Sequence, residues 1–135
     1  MSEENANRQT VLLVDDNEDV RALIRFWLEE RGYCVVQATN GEAAVETALR
    51  ERPDIILMDI CMPQLDGFAA TRRIRAREEL RSIPILAISA HDIQELQSAA
   101  IDAGCEELLA KPVDSDKLEN ALSRLLPGSN GASSV

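Results

Sequence analysis

Short apolar runs rich in β-branched residues return along this chain at intervals of roughly twenty to thirty residues, and a helical pattern fills each interval. The runs are Val11–Asp15, Tyr33–Ala38, Asp54–Asp59, Ile85–Ser89 and Glu107–Ala110. One strand plus a crossover helix occupies about that length, so the chain reads as five βα units. Ile55-Ile56-Leu57-Met58 and Ile85-Leu86-Ala87-Ile88 carry no polar face at all. Strands of that kind must be covered by helices on both sides, which requires a parallel, doubly wound sheet.

The intervening segments carry helix punctuation. Asn17 is a good N-cap for a first helix whose Val20, Leu23, Ile24, Trp27 and Leu28 fall on one stripe, with Gly32 as its stop. Asn40 caps a second helix with Ala44, Val45, Ala48 and Leu49 inward and Pro53 at its end. A third starts near Phe68, a fourth runs from about Asp92 to Ala103 before Gly104, and a fifth begins at Ser115 with Leu118, Ala121, Leu122 and Leu125 inward. Right-handed crossovers among five parallel strands allow the flavodoxin-like order 2-1-3-4-5, an α/β three-layer sandwich. In that order the winding reverses between the first and third strands, and ligands bind outside the carboxyl ends of the strands at that point.

A length of 135 residues supports one domain, and a chain of this mass buries roughly two-thirds of its extended surface. We expect a domain over residues 9–126, a flexible amino terminus over 1–8, and a flexible tail or linker over 127–135. No output module is expected in this length. With 24 acidic against 14 basic residues the net charge is −10, which opposes adhesion to nucleic acid or anionic lipid. The cluster Arg72, Arg73, Arg75, Arg77 and Arg81 reads as a solvated helix face. MSEENANRQT lacks an apolar signal region and no run reaches transmembrane length, so neither export nor membrane insertion is expected. Cys34, Cys61 and Cys105 are unpaired in spacing and suit a reducing, cytoplasmic compartment, where they read as small buried apolar residues.

The polar residues at the ends of the apolar runs carry the functional argument. Asp15 and Asp16 close the first run, Asp59 the third and Ser89 the fourth, while Lys111 follows the fifth. Three carboxylates, a hydroxyl and an ammonium therefore converge at one end of the sheet. Clustered carboxylates repel one another unless a hard cation joins them, and Mg²⁺ takes one or two carboxylates, waters and a phosphoryl oxygen. Lys111 offers a point charge and Ser89 a hydroxyl to such a phosphoryl group, and a carboxylate is a competent phosphoryl nucleophile. Asp59, being central, is the expected nucleophile. Each residue alone has a blander reading. Asp15 or Asp16 serves as an acid at a helix start, Ser89 as an N-cap, and Lys111 as a surface ammonium before Pro112. Their joint placement at four strand ends carries more weight than any one of them.

These residues resemble those of the receiver domain of two-component response regulators. The resemblance spans Gln9 to Leu126 through V-L-L-V-D-D-N, D-I-I-L-M-D-I-C-M-P-Q-L-D-G, the I-S-A tripeptide and the K-P pair, in order. It implies that Asp59 is the phosphoacceptor, Asp16 a direct metal ligand, Asp15 a ligand acting mainly through water, and the Cys61 carbonyl a further ligand. It implies Mg²⁺, or Mn²⁺ in its place, as the cofactor. Ser89 corresponds to the hydroxyl that moves toward the phosphoryl group, Lys111 to its ion-pair partner joined to Pro112 by a cis bond, and Asp66-Gly67 to the turn before the third helix.

The implied function is a phosphorelay switch. It would accept a phosphoryl group from a histidine kinase or histidine phosphotransfer protein and change its partner-binding face, catalysing only its own phosphorylation and dephosphorylation. Leu108 stands three residues before Lys111, where many relatives carry Tyr or Phe, so output coupling departs from the common pattern. Cys61 and His91 each lie two residues beyond a site residue, at positions flanking the phosphoryl group, and His91→Ala is expected to alter the acyl-phosphate lifetime. Other readings stay open at this stage. An aspartate-nucleophile phosphatase usually has an acid where this chain has Cys61. A flavin or nucleotide module would want Gly and backbone donors where Asp15-Asp16-Asn17-Glu18-Asp19 supplies anions. A phosphate-independent scaffold of receiver fold is the fourth.

Overall fold

The structure, a computed structural model, describes residues 9–60, 66–90 and 93–126, with the backbone alone at Ile93. The elements alternate throughout: β1 (Thr10–Val14), α1 (Glu18–Glu30), β2 (Cys34–Ala38), α2 (Gly41–Glu51), β3 (Ile55–Asp59), α3 (Gly67–Ala76), a short 3₁₀ turn (Glu78–Leu80), β4 (Ile85–Ser89), α4 (Ile93–Ala103), β5 (Glu107–Ala110) and α5 (Ser115–Leu125). All strand pairs are parallel and the order is β2-β1-β3-β4-β5, as the sequence predicts.

The register explains the unbroken apolar runs. Leu12, Val14, Ile56, Met58, Ile85, Ala87 and Leu108 point to the face covered by α2, α3 and α4, where Ala44, Ala48, Ala70, Ile74 and Ala100 meet them. Val11, Leu13, Ile55, Leu57, Leu86, Ile88 and Leu109 point to the opposite face, against Ile24 and Leu28 of α1 and Leu118, Ala121 and Leu122 of α5. Both faces of every central strand are therefore dry, which is the condition that a parallel sheet needs.

The caps fall where the side chains allow. Asn17 Oδ1 accepts from the Val20 amide at 3.0 Å and Asn40 Oδ1 from the Ala43 amide at 2.8 Å, both as predicted. Asp66 caps α3 by accepting from Ala69 at 2.8 Å, and Asp114 caps α5 by accepting from Asp116 and Lys117. Gly104, at φ +116°, turns the chain out of α4 in a conformation closed to ordinary L residues.

Several expectations need correction. Asp15 lies just past β1, although its amide still donates to the Ala38 carbonyl at 3.2 Å. Asp54 lies before β3, and its carboxylate accepts from the Thr10 amide at 2.7 Å, closing the start of β1 instead of extending a strand. Tyr33 precedes β2. Leu23, expected inward, is 70% exposed, because Ile24 and Leu28, with the partly buried Val20 and Trp27 beside them, make α1's contact with the sheet. Cys34 is exposed, since it opens the edge strand β2, whereas Cys105 is buried as expected. Arg75 departs from the solvated face of its neighbours. It donates to the carbonyls of Gly104 (2.9 Å), Arg81 (2.9 Å) and Ile83 (2.7 Å) and pairs with Glu106 at 2.9 Å. Among the described residues no helix is long and apolar enough to cross a membrane.

Candidate functional site

The register carries Asp15 and Asp59 to the same level. Val14 pairs with Met58 in the parallel ladder, so the next residues, Asp15 and Asp59, leave the sheet side by side at its carboxyl edge. Asp59 pairs in turn with Ile88, which sets Ser89 one step further along β4. The Lys111 amide donates to the Ser89 carbonyl at 2.8 Å, extending the β4–β5 ladder by one rung and delivering the lysine to the same edge. Lys111 and Pro112 are joined by a cis peptide bond.

Asp15, Asp59 and Ser89 are buried, at 1%, 2% and 0% exposure, while Asp16 is exposed. One oxygen of each of Asp15, Asp16 and Asp59 lies within 4.8 Å of the others. Lys111 Nζ reaches Asp15 Oδ2 at 3.2 Å and Asp59 Oδ2 at 3.3 Å. Burial alone would pull the Lys111 pKa down. The charges of Asp59 and Asp15, and the hydrogen bonds to both, outweigh it and hold that pKa above the ordinary lysine value.

Three carboxylates and one ammonium carry two net negative charges when all are ionised, the charge that one divalent cation neutralises. The donors are all oxygens, hard ligands of the kind Mg²⁺ prefers, and the exposed Asp16 leaves one side open to water and ligand. The residues present thus fit Mg²⁺. The Cys61 carbonyl, named from the sequence as a further ligand, lies outside the described residues, as does His91.

Other contacts hold this end of the sheet rigid. The Asn17 amide donates to Asp15 Oδ1 at 2.9 Å, so both Asp15 oxygens are committed. Gly67, in the Asp66-Gly67 turn, packs directly on the end of β3. A β-carbon placed there would stand 2.5 Å from Ile60 Cα and 2.6 Å from the Asp59 carbonyl oxygen. Two features escaped the sequence reading. Arg21 reaches back from α1 to the Asp15 carbonyl, and its only sequence signal is a cation one helical turn beyond Asn17. An apolar groove of about 500 Å³ runs between α1 and the segment after β5, lined by Val20, Leu23, Trp27, Ala90, Lys111 and Pro112 among others. It meets the acidic cluster at Lys111. The exposure of Leu23 follows from its place on this groove, which α1's periodicity alone does not reveal.

Residues 11–123 match the family model of the response regulator receiver domain. The chain is 35% identical over 118 residues to protein PilH of Pseudomonas aeruginosa, covering 87% of this chain and 98% of that protein. It is 36% identical across all 135 residues to the signal transduction histidine-protein kinase BarA of Escherichia coli, of which it spans only 15%. Among solved structures, the receiver domain of the sensor histidine kinase PA1611 of Pseudomonas aeruginosa superposes with a TM-score of 0.81 at 41% identity, over 87% of this chain and 97% of that one. That crystal structure holds a magnesium ion coordinated in its active-site cleft. With the five-stranded order, the acidic cluster beside a lysine and a family match over 11–123, the chain belongs to the response regulator receiver domain family of two-component signalling.

Proposed function

We propose that this protein is a phosphorelay switch that accepts a phosphoryl group on Asp59 from a histidine of a kinase or phosphotransfer protein. The observation that carries this reading is the meeting of Asp15, Asp16 and Asp59 within 4.8 Å, with Lys111 on two of them. Magnesium in the cleft of the similar receiver structure supports the same ion here.

Asp15, Asp16 and Asp59 would hold the ion, with the Cys61 carbonyl as a further ligand. When bound, it supplies positive charge against the anionic phosphoryl group and the nucleophile. The chain's own residues do the rest. The Asp59 carboxylate, fixed at the end of β3, attacks phosphorus, and the bond from phosphorus to the donor nitrogen breaks, returning its electron pair to the imidazole. Lys111 keeps its proton, because its raised pKa holds it cationic at neutral pH, and compensates charge on a phosphoryl oxygen. Catalysis is then positioning and electrostatics on a preset scaffold.

The product carries about two negative charges and three acceptors where one carboxylate stood. Ser89, on the neighbouring strand, is the hydroxyl drawn toward them, and the face around α4 and β5 follows as a shifted population. Leu108 is buried in the sheet core at 7% exposure, so no aromatic rotamer at that position transmits the change. A protein donor is supported by the apolar groove, whose wall reaches Lys111 and Ala90 and so adjoins the reacting carboxylate. Work in the cytoplasm, with no direct contact to nucleic acid, is consistent with the net charge of −10. We take residues 9–126 as the working domain.

Acetyl phosphate with Mg²⁺, followed by intact mass, tests the reading. The wild type should gain one phosphoryl group and Asp59→Asn none. Equal gain by both proteins, or none by either, would overturn it, and turnover of free phosphate esters would indicate a phosphatase instead.

A further inference from the structure

Asp15 is held at every polar atom, and only the Lys111 contact belongs to the acidic cluster and its lysine; the other three holds come from outside it. Its amide donates to the Ala38 carbonyl, its carboxylate oxygens go to Lys111 and the Asn17 amide, and its carbonyl accepts from Arg21 Nη1 at 2.9 Å. Arg21 is held in turn, because its Nε donates to Gln37 Oε1 at 3.0 Å. A guanidinium is a rigid planar fork, so fixing Nε fixes the direction in which Nη1 points. Gln37 sits on the edge strand β2 with its side chain outside the core, and its register partner is Leu13, two residues before Asp15.

The Asp15 carbonyl belongs to the peptide plane that joins Asp15 to Asp16. Locking that plane sets the direction in which the Asp16 α-carbon leaves it, and therefore where the Asp16 carboxylate is presented. Asp16 is the exposed member of the trio, and no hydrogen bond or ion pair of its own side chain is found among the described residues, so the backbone is what places it.

We infer that Arg21, held by Gln37, is a positioning residue for divalent-cation binding, acting by locking the Asp15–Asp16 peptide so that Asp16 faces Asp15 and Asp59. The inference rests on the reading of that trio as the Mg²⁺ site. Two effects of Arg21 oppose each other. Its charge repels a cation, whereas its hydrogen bond organises the ligands. Contacts that orient metal ligands are typically worth about 10–100-fold in affinity. The charge of a partly solvent-exposed guanidinium is screened by water and salt. Positioning should therefore prevail.

Calorimetric titration of Mg²⁺ into wild type, Arg21→Lys, Arg21→Gln and Gln37→Ala, each checked for an unchanged melting curve, separates these effects. Arg21→Lys keeps the charge but loses the fork. Positioning predicts that both Arg21 variants bind about tenfold more weakly, and that Gln37→Ala, which leaves the carbonyl bond in place, binds about two- to threefold more weakly. At saturating Mg²⁺ the rate of phosphoryl uptake from acetyl phosphate should match wild type, because the ligands are then filled. Unchanged affinity in Arg21→Lys, or tighter binding in Arg21→Gln, would overturn the inference, as would an equal loss of rate at saturating Mg²⁺. Gln37→Ala lies outside α1 and keeps the test open if the Arg21 variants fail to fold. Were the wild type to bind Mg²⁺ yet take up no phosphoryl group, the switch reading would fail while the Arg21 titrations still decided this one.

Discussion

The ammonium of Lys111 stands 3.3 Å from the Asp59 carboxylate, although the two residues are 52 positions apart in the sequence. It also stands 3.2 Å from Asp15, so it occupies much of the place that a metal ion would contest. Replacing it with Met removes that competitor and its charge together. In Lys111→Met, Mg²⁺ should bind about three- to tenfold more tightly, while phosphoryl uptake slows because the transferred group loses its cation. In metal-free buffer the variant should lose about 1–3 kcal/mol, less than for a fully buried pair, since the lysine keeps some solvent contact. Calorimetry, chemical denaturation and mass spectrometry read the three effects, and unchanged Mg²⁺ affinity would contradict the shared occupancy.

The raised Lys111 pKa also fixes a direction for stability against pH. A lysine whose pKa is higher folded than unfolded contributes fully below the unfolded value, about 10.4, and that contribution fades as pH climbs through the folded value. The chain should therefore show no Lys111-dependent change across neutral pH and a loss on the alkaline side. Tyr33, whose pKa burial pushes up with help from Glu119, adds a loss of the same sign. Denaturation midpoints from pH 8 to 11 should fall less steeply in Lys111→Met than in wild type, with Tyr33→Phe in both backgrounds removing the tyrosine part.

Gly67→Ala tests the seat beneath Asp59. Alanine ordinarily favours a helix over glycine by about 1 kcal/mol. Here the added carbon would meet Ile60 Cα at 2.5 Å and the Asp59 carbonyl at 2.6 Å, both backbone atoms that cannot swing aside. The clash should prevail, costing about 1–3 kcal/mol of stability and slowing phosphoryl uptake by displacing the nucleophile. A melting temperature at or above wild type would show that α3 can back away freely.

Leu23→Asp probes the groove. At 70% exposure the leucine contributes little to the core, so stability should change by less than about 1 kcal/mol. Uptake from acetyl phosphate should match wild type, whereas transfer from a phosphorylated histidine protein should fall at least severalfold. Parallel losses with both donors would place the defect in the site instead of at the docking surface.

The fold was readable from sequence because two independent periodicities agreed. Runs such as Ile55–Met58 admit only a strand dry on both faces, and Asn17 and Asn40 mark helix starts that the structure places at the same residues. The acidic trio was readable because strand ends in a parallel sheet share one edge, so Asp15 and Asp59 needed no contact information beyond the order of strands. What failed depends on lateral neighbours. Leu23 shares the stripe of Ile24 and Leu28, but α1's contact with the sheet takes in only part of that stripe. Cys34 reads as a small apolar core residue although the predicted order already places β2 at an edge, and there its side chain is exposed. Arg75 sits among exposed arginines, yet it alone finds the converging carbonyls of Gly104, Arg81 and Ile83, an arrangement fixed by loops that carry no periodicity. Arg21 escaped for a similar reason, because its partner is a backbone atom and the chain marks no carbonyl as special.

β5 is only four residues long and closes one margin of the sheet, and Lys111 is the first residue past it. The cation is thus delivered from an edge strand, whereas Asp15 and Asp59 stand at the ends of the interior strands β1 and β3. Without β5 in place, Asp15 and Asp59 would stand side by side without the ammonium that pairs with both of them. The charge balance at the acidic edge thus depends on the final segment of the fold, which brings the one ammonium to two of the three carboxylates.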